Sequence, residues 1–160
     1  MRLPNIQPKH FQVYVDWSYT DKLVVEDDAT AADSGMDITA IYLAGEFLDD
    51  VKLRNIATRQ LNTLVLAHES LFPRVIRLIW ENTTTSSSLR QWTVDTAILN
   101  INKKRFAHNA ARYPAEFMSV MALGALQKIS SVTRSRQEPA FTRLLPNYLE
   151  PEVETAETAT

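Results

Sequence analysis

Cysteine is absent from all 160 residues. Its absence excludes a disulfide framework, a thiolate metal site and a cysteine nucleophile, and it makes a reducing intracellular compartment, cytoplasmic or nuclear, the default. Glycine is scarce too, at 3 residues, and with short, scattered loops this favours helices over a barrel or a sandwich. No apolar run approaches the roughly 20 residues that span a bilayer, and the opening MRLPNIQPKH lacks the apolar core of a signal peptide. A membrane is therefore not among the expected partners. Net charge is also small, −2 at pH 7, which argues against general affinity for nucleic acid. What is present is 45% hydrophobic and 22% charged residues, the composition of one ordinary globular domain with a single core.

The charge is sorted along the chain. Residues 26–37, EDDATAADSGMD, carry five acids and no base, whereas residues 103–112, KKRFAHNAAR, carry four Lys or Arg and no acid. Asp27, Asp28, Asp33 and Asp37 are oxygen donors, but they lack the alternating order and central glycine of an EF-hand loop. A solvated loop is expected there, not a calcium site. The basic stretch reads first as cations near the C-terminal end of a helix, where the dipole favours them; a phosphate-binding or nuclear-import patch is the alternative. The end of the chain, EPEVETAETAT from Glu150, is acidic and nearly free of large apolar groups, so disorder is expected.

Periodicity predicts helices over most of the remainder. Pro8 suits a first helical turn, and Phe11, Tyr14, Val15, Ser18 and Tyr19 follow the i, i+3, i+4, i+7, i+8 stripe of a helix over 8–20, with Val13 and Trp17 adding a second apolar side. KLVVE, residues 22–26, reads as at most a short strand. A helix over 38–48 is expected behind Asp37 as N-cap, with Ala40, Leu43, Ala44, Phe47 and Leu48 on one face. Others are expected from 51 to about 67 and over 73–82, 89–102 and 114–130. Both sides of the helix over 89–102 are apolar, with Leu89 and Trp92 on one and Val94 and Ile98 on the other. Gly124 lies inside the last helix and weakens it by about 1 kcal/mol relative to alanine.

Between the helices over 73–82 and 89–102 lie seven consecutive hydroxyl or amide side chains, Asn82 to Ser88. Asn82-Thr83-Thr84 matches a glycosylation acceptor, but no secretory signal accompanies it. A phosphate cradle needs glycines, and the run has none. A nucleophilic serine needs a base, and His10, His68 and His108 lie far apart with no motif. A structural connection is the better reading: Ser88-Leu89-Arg90-Gln91 has the form of a capping box, and Ser87 is the alternative cap. Glu46, Asp49 and Asp50 read as a solvated helix end. The aromatics Trp17, Tyr42, Phe47, Trp80 and Trp92 read as core or interface, not as a platform for stacking bases.

Two stretches at a consistent separation resemble the BTB/POZ proteins abundant in filamentous fungi. LPNIQPKHFQVYVDWSYTDKL, residues 3–23, is similar to the family's proline, aromatic and W-L-Y-T-G helix end. AIYLAGEFLDDVKLRNIATRQL, followed by IWENTTTSSSLRQWTVD, resembles the region beyond it, most specifically from Glu81 to Asp95. YPAEFM, residues 113–118, resembles the segment that follows. Ser18 and Asp21 depart from a leucine and a glycine, and Thr84 and Ser88 replace prolines, which shifts capping onto hydroxyls. A complete domain of this kind begins with strands and a helical hairpin ahead of the first helix seen here, so the resemblance implies its C-terminal half in an incomplete or degenerate copy.

The expected fold class is therefore mainly α: a partial BTB/POZ-like helical cluster over 1–101, a helical extension over 102–130, and a linker with a disordered acidic tail over 131–160. The resemblance implies a non-enzymatic module for protein–protein interaction, through self-association as a homo-oligomer or as an adaptor that in some members recruits a cullin-type ubiquitin ligase. The interaction residues expected are Phe11, Tyr14, Trp17 and Tyr19, and the Phe11, Tyr14 and Trp17 side is expected to be partly exposed for want of a covering layer. No cofactor or metal is expected. The alternative is a small helical ligand-binding or enzymatic domain, which would need convergent titratable groups.

Overall fold

The structure is a computed structural model that describes residues 8–20, 22–24, 30–100, 102–132 and 149. Among the described residues it is helical, with seven helices and one 3-10 turn and no strand. They are α1 (Pro8–Thr20), α2 (Ala31–Phe47), α3 (Val51–His68), α4 (Pro73–Asn82), α5 (Ser88–Asn100), α6 (Lys103–Asn109), the 3-10 turn (Ala110–Arg112) and α7 (Ala115–Val132). Residues 22–24, three of the five in the expected strand, are irregular, and Val25 and Glu26 lie outside the described residues. Of the expected tail, residues 133–148 and 150–160 also lie outside them.

Local chemistry sets the helix ends. The helix expected behind Asp37 begins seven residues earlier, because Thr30 caps it: the Thr30 hydroxyl accepts from the Asp33 N–H at 3.3 Å and donates to the Asp33 carboxylate at 2.6 Å. The second half of the expected acidic loop is thus the first two turns of α2. Its other end closes with Asp49 in the left-handed region, φ 55°, while the Asp50 N–H reaches the Gly45 carbonyl at 2.8 Å. Asp50 then caps α3 by accepting from the Leu53 N–H at 2.9 Å. One carboxylate pair, Asp49-Asp50, therefore ends one helix and starts the next.

The basic stretch is also a helix of its own. Asn102 caps α6 through the N–H groups of Lys104 and Arg105, so these cations open a helix where the end of the preceding one was expected. The capping box at Ser88 does not form. The Ser87 carbonyl accepts the first bond of α5, from Gln91, while the Gln91 side chain turns to Asp95 at 3.1 Å and the Ser88 hydroxyl meets Tyr42 at 3.2 Å. The buried Ser87 hydroxyl has no partner among the described residues.

Two helices form the middle. Residues 38–45 of α2 and 92–97 of α5 are buried without interruption, as an all-round covered helix requires. Phe47 and Leu48, expected on the buried face of α2, are instead partly exposed because they follow that run into the turn. α3 packs along α2, α4 crosses α2, and α7 lies on α5. Tyr113 and Phe117, from the segment expected to extend the domain, belong to the same buried cluster as Trp17, Ile41, Ile76 and Trp92. The Phe117 ring meets Trp80 edge-on at 5.0 Å.

Candidate functional site

The four residues expected to interact share α1 but not one environment. Trp17 is buried at 6% exposure, and its Nε1–H points to the Asp50 carboxylate at 3.4 Å. It anchors α1 to the α2–α3 turn, so the expectation that it is partly exposed does not hold: α2 supplies the covering layer. The other end of α1 is fixed by Asp37, which takes Lys9 at 2.7 Å and His10 at 2.9 Å. Tyr14 is half-buried, with its ring 6.3 Å from that of Phe11. Phe11 and Tyr19 are on the surface, at 58% and 86% exposure. α1 thus offers Phe11 with the rim of Tyr14, and Tyr19 separately.

A second apolar surface was not foreseen. α7 buries Phe117 and sets Gly124 so close to α5 that a Cβ there would stand 2.8 Å from Ile98 Cδ1. Its opposite side leaves Val120, Leu123 and Leu126 at 41%, 62% and 66% exposure. Each is three residues from the next, so neighbours on the helix surface touch. The signal was present in the sequence as apolar residues, Phe117, Met118, Val120, Met121, Leu123 and Leu126, spread round the helix well beyond the side that meets α5.

A third feature is a cleft of about 410 Å³ where the start of α4 faces the 3-10 turn. Arg74, Arg77 and Arg112 line it with Ser70 and Asn109, and Phe72, Pro73 and Ala32 complete the lining. Arg74 is paired with Asp33 at 3.0 Å. The Asp33 carboxyl is held below its ordinary range, first by the hydrogen bond from Thr30 and then, against the cost of burial, by Arg74. Arg77 donates to the backbone carbonyl of Arg112 at 3.2 Å, which ties the turn to α4.

His68 and His108, the residues on which a catalytic reading would turn, are exposed and do not line this cleft; the His68 ring lies 6.2 Å from Phe72. Among the described residues no three His, Cys, Asp or Glu gather as a metal site, and Asp27 and Asp28 lie outside them. No described helix is long and apolar enough to cross a membrane. In comparisons with family models, curated proteins and solved structures, nothing matches this chain.

Proposed function

We propose that the chain is a non-enzymatic protein–protein interaction module of the BTB/POZ kind. The observation that carries this reading is α7: a helix fixed to the core along one side presents Val120, Leu123 and Leu126 to solvent along the other. An apolar strip of this kind on a well-packed scaffold is what an interface core needs. Phe11 and Tyr19 add an aromatic contact surface on α1, and aromatic side chains are enriched where binding energy concentrates. The residues of the Glu81 to Asp95 stretch, which carry the resemblance, support the reading as scaffold: Arg90 and Thr83 close the connection between α4 and α5.

The partner is a second copy of the chain, or a scaffold of the cullin type for which the chain is an adaptor. Sedimentation velocity on the purified chain from about 1 to 100 μM tests the first, and titration with a purified cullin N-terminal domain tests the second. Concentration-dependent dimerisation, or saturable cullin binding, that is lost on Leu123→Glu with Leu126→Glu and retained in a Lys104→Gln control, is the expected result. A chain that stays monomeric throughout and ignores the cullin domain would overturn the reading.

A further inference from the structure

Of the three arginines that line the α4 cleft, Arg74 and Arg77 each make one contact among the described residues, with Asp33 and with the Arg112 carbonyl, and the Arg112 guanidinium makes none. Arg74 and Arg77 are three residues apart on α4, so their like charges share one face, an arrangement that works against the helix. Arg77 then holds the backbone carbonyl of Arg112, which makes Arg112 a third arginine in the lining of the same cleft. Asp33 pairs with Arg74, but neither Arg77 nor Arg112 has a carboxylate partner among the described residues. The guanidinium of Arg112 makes no hydrogen bond there at all. Like charges gathered in one cleft with a single carboxylate beside them are a local conflict that a bound anion would relieve.

The charge left over is specific in amount. Three guanidinium groups less the one carboxylate leave two positive charges, the charge that a phosphomonoester brings at neutral pH with opposite sign. Guanidinium forks also suit phosphate oxygens in geometry, since each can give two parallel N–H donors. The start of α4 adds to the field, because its N-cap residue, Phe72, has no side-chain oxygen to cap the first turn. A cleft of about 410 Å³ is within the size of small-molecule sites and larger than a bare phosphate needs. The Phe72 ring and Pro73 provide apolar lining for an organic body attached to the anion.

We propose that this cleft binds a compact phosphate-bearing molecule, with Arg74, Arg77 and Arg112 taking the phosphate oxygens and Phe72 and Pro73 receiving its apolar part. The site stands apart from the interaction surfaces on α1 and α7 and does not depend on that reading. It also gives the basic stretch a use: Arg112 is its last residue, and α6 and the 3-10 turn carry it to α4.

Calorimetric titration of the full chain with sodium pyrophosphate and with inorganic phosphate, at constant ionic strength, tests the proposal. Saturable binding is expected, tighter for pyrophosphate, and weakened about tenfold by Arg112→Gln and by Arg74→Gln, as loss of a charged hydrogen bond implies. Lys104→Gln, outside the cleft, should leave it unchanged. Because the Arg112 guanidinium holds nothing in the fold, a variant that melts at the same temperature but binds more weakly reports on the site alone. Absence of saturation below about 10 mM, or equal binding by a variant that carries both Arg74→Gln and Arg112→Gln, would overturn the proposal. So would citrate binding as tightly as pyrophosphate, which makes the ligand a carboxylate. Displacement of pyrophosphate by a single-stranded oligonucleotide with a steep salt dependence would do the same, making the ligand a nucleic acid.

Discussion

Arg90 holds Thr83 at both ends: its Nε–H donates to the Thr83 hydroxyl at 3.0 Å, and its Nη2 donates to the Thr83 carbonyl at 2.7 Å. The same Nη2 reaches the Trp80 carbonyl at 2.6 Å, Nη1 pairs with Glu116 of α7 at 3.0 Å, and the guanidinium lies 5.1 Å from the Trp80 ring centre. One buried cation therefore satisfies the free carbonyls at the end of α4, fixes the hydroxyl-rich connection and links it to α7. Arg90→Ala should destabilise the fold by about 3 kcal/mol, since it leaves buried carbonyls without donors. Arg90→Lys should recover less than half of that, because an ammonium cannot reproduce the planar fork. Urea unfolding checks both, and a lysine variant as stable as the parent would show that charge alone suffices.

Two glycines at helix crossings should respond differently to alanine. A Cβ on Gly35 would stand 2.9 Å from Val75 Cγ2 and 3.3 Å from Leu64 Cδ2, and the branched Val75 has little freedom to turn away. Gly35→Ala should cost roughly 1–3 kcal/mol as an overpacked crossing. On Gly124 the close atom is Ile98 Cδ1, the far end of a side chain that can rotate, and alanine regains about 1 kcal/mol of helix propensity. Gly124→Ala should be neutral or stabilising. Melting temperatures in the reverse order would mean that the α5–α7 crossing is the stiffer one.

How much was legible beforehand depends on where each signal sits. Both ends of α1 and α4 can be read directly, because Pro8 and Pro73 mark first turns and an apolar period follows each. The start of α2 could not, because the Thr30–Asp33 cap lies inside an acid-rich stretch whose composition suggests solvent, and the burial of Gly35 against Val75 appears only once α4 has crossed α2. α6 was hidden for a related reason: Asn102 looks like the last residue of a helix and is the cap of the next. The arginine cleft joins residues 74 and 77 to residue 112, and no periodicity relates positions so far apart. The Tyr113 hydroxyl, which donates to the Leu71 carbonyl at 3.1 Å, is one of the contacts that closes that distance.

The division of α1 into an anchor and a surface gives a graded prediction. Trp17→Ala removes a buried indole and its bond to Asp50, so a loss of about 3–5 kcal/mol is expected. Phe11→Ala and Tyr19→Ala should each change stability by no more than about 0.5 kcal/mol, as exposed positions do. If they also weaken association, while Trp17→Ala acts only through stability, then α1 binds through its outer aromatics alone. Chemical denaturation and sedimentation on the same preparations separate the two effects.

Asp37 makes the attachment of α1 dependent on acid. Burial by itself would raise its carboxyl, but the hydrogen bonds from His10 and Lys9 outweigh that and hold it below the ordinary aspartate value. An ionised carboxylate only accepts, so the His10 Nε2 facing it carries a proton. Since the folded state has the lower pKa, the contribution is complete above the ordinary value of about 3.9 and is lost as pH falls through the folded one. Asp37→Asn should therefore melt at a lower temperature than the parent at pH 7, and the gap should hold down to about pH 4 and narrow as pH falls further toward the folded value. Thermal melts of the two chains across that range measure it. A gap that stays constant down to pH 3 would mean that Asp37 holds α1 by shape and neutral hydrogen bonding, not by its charge.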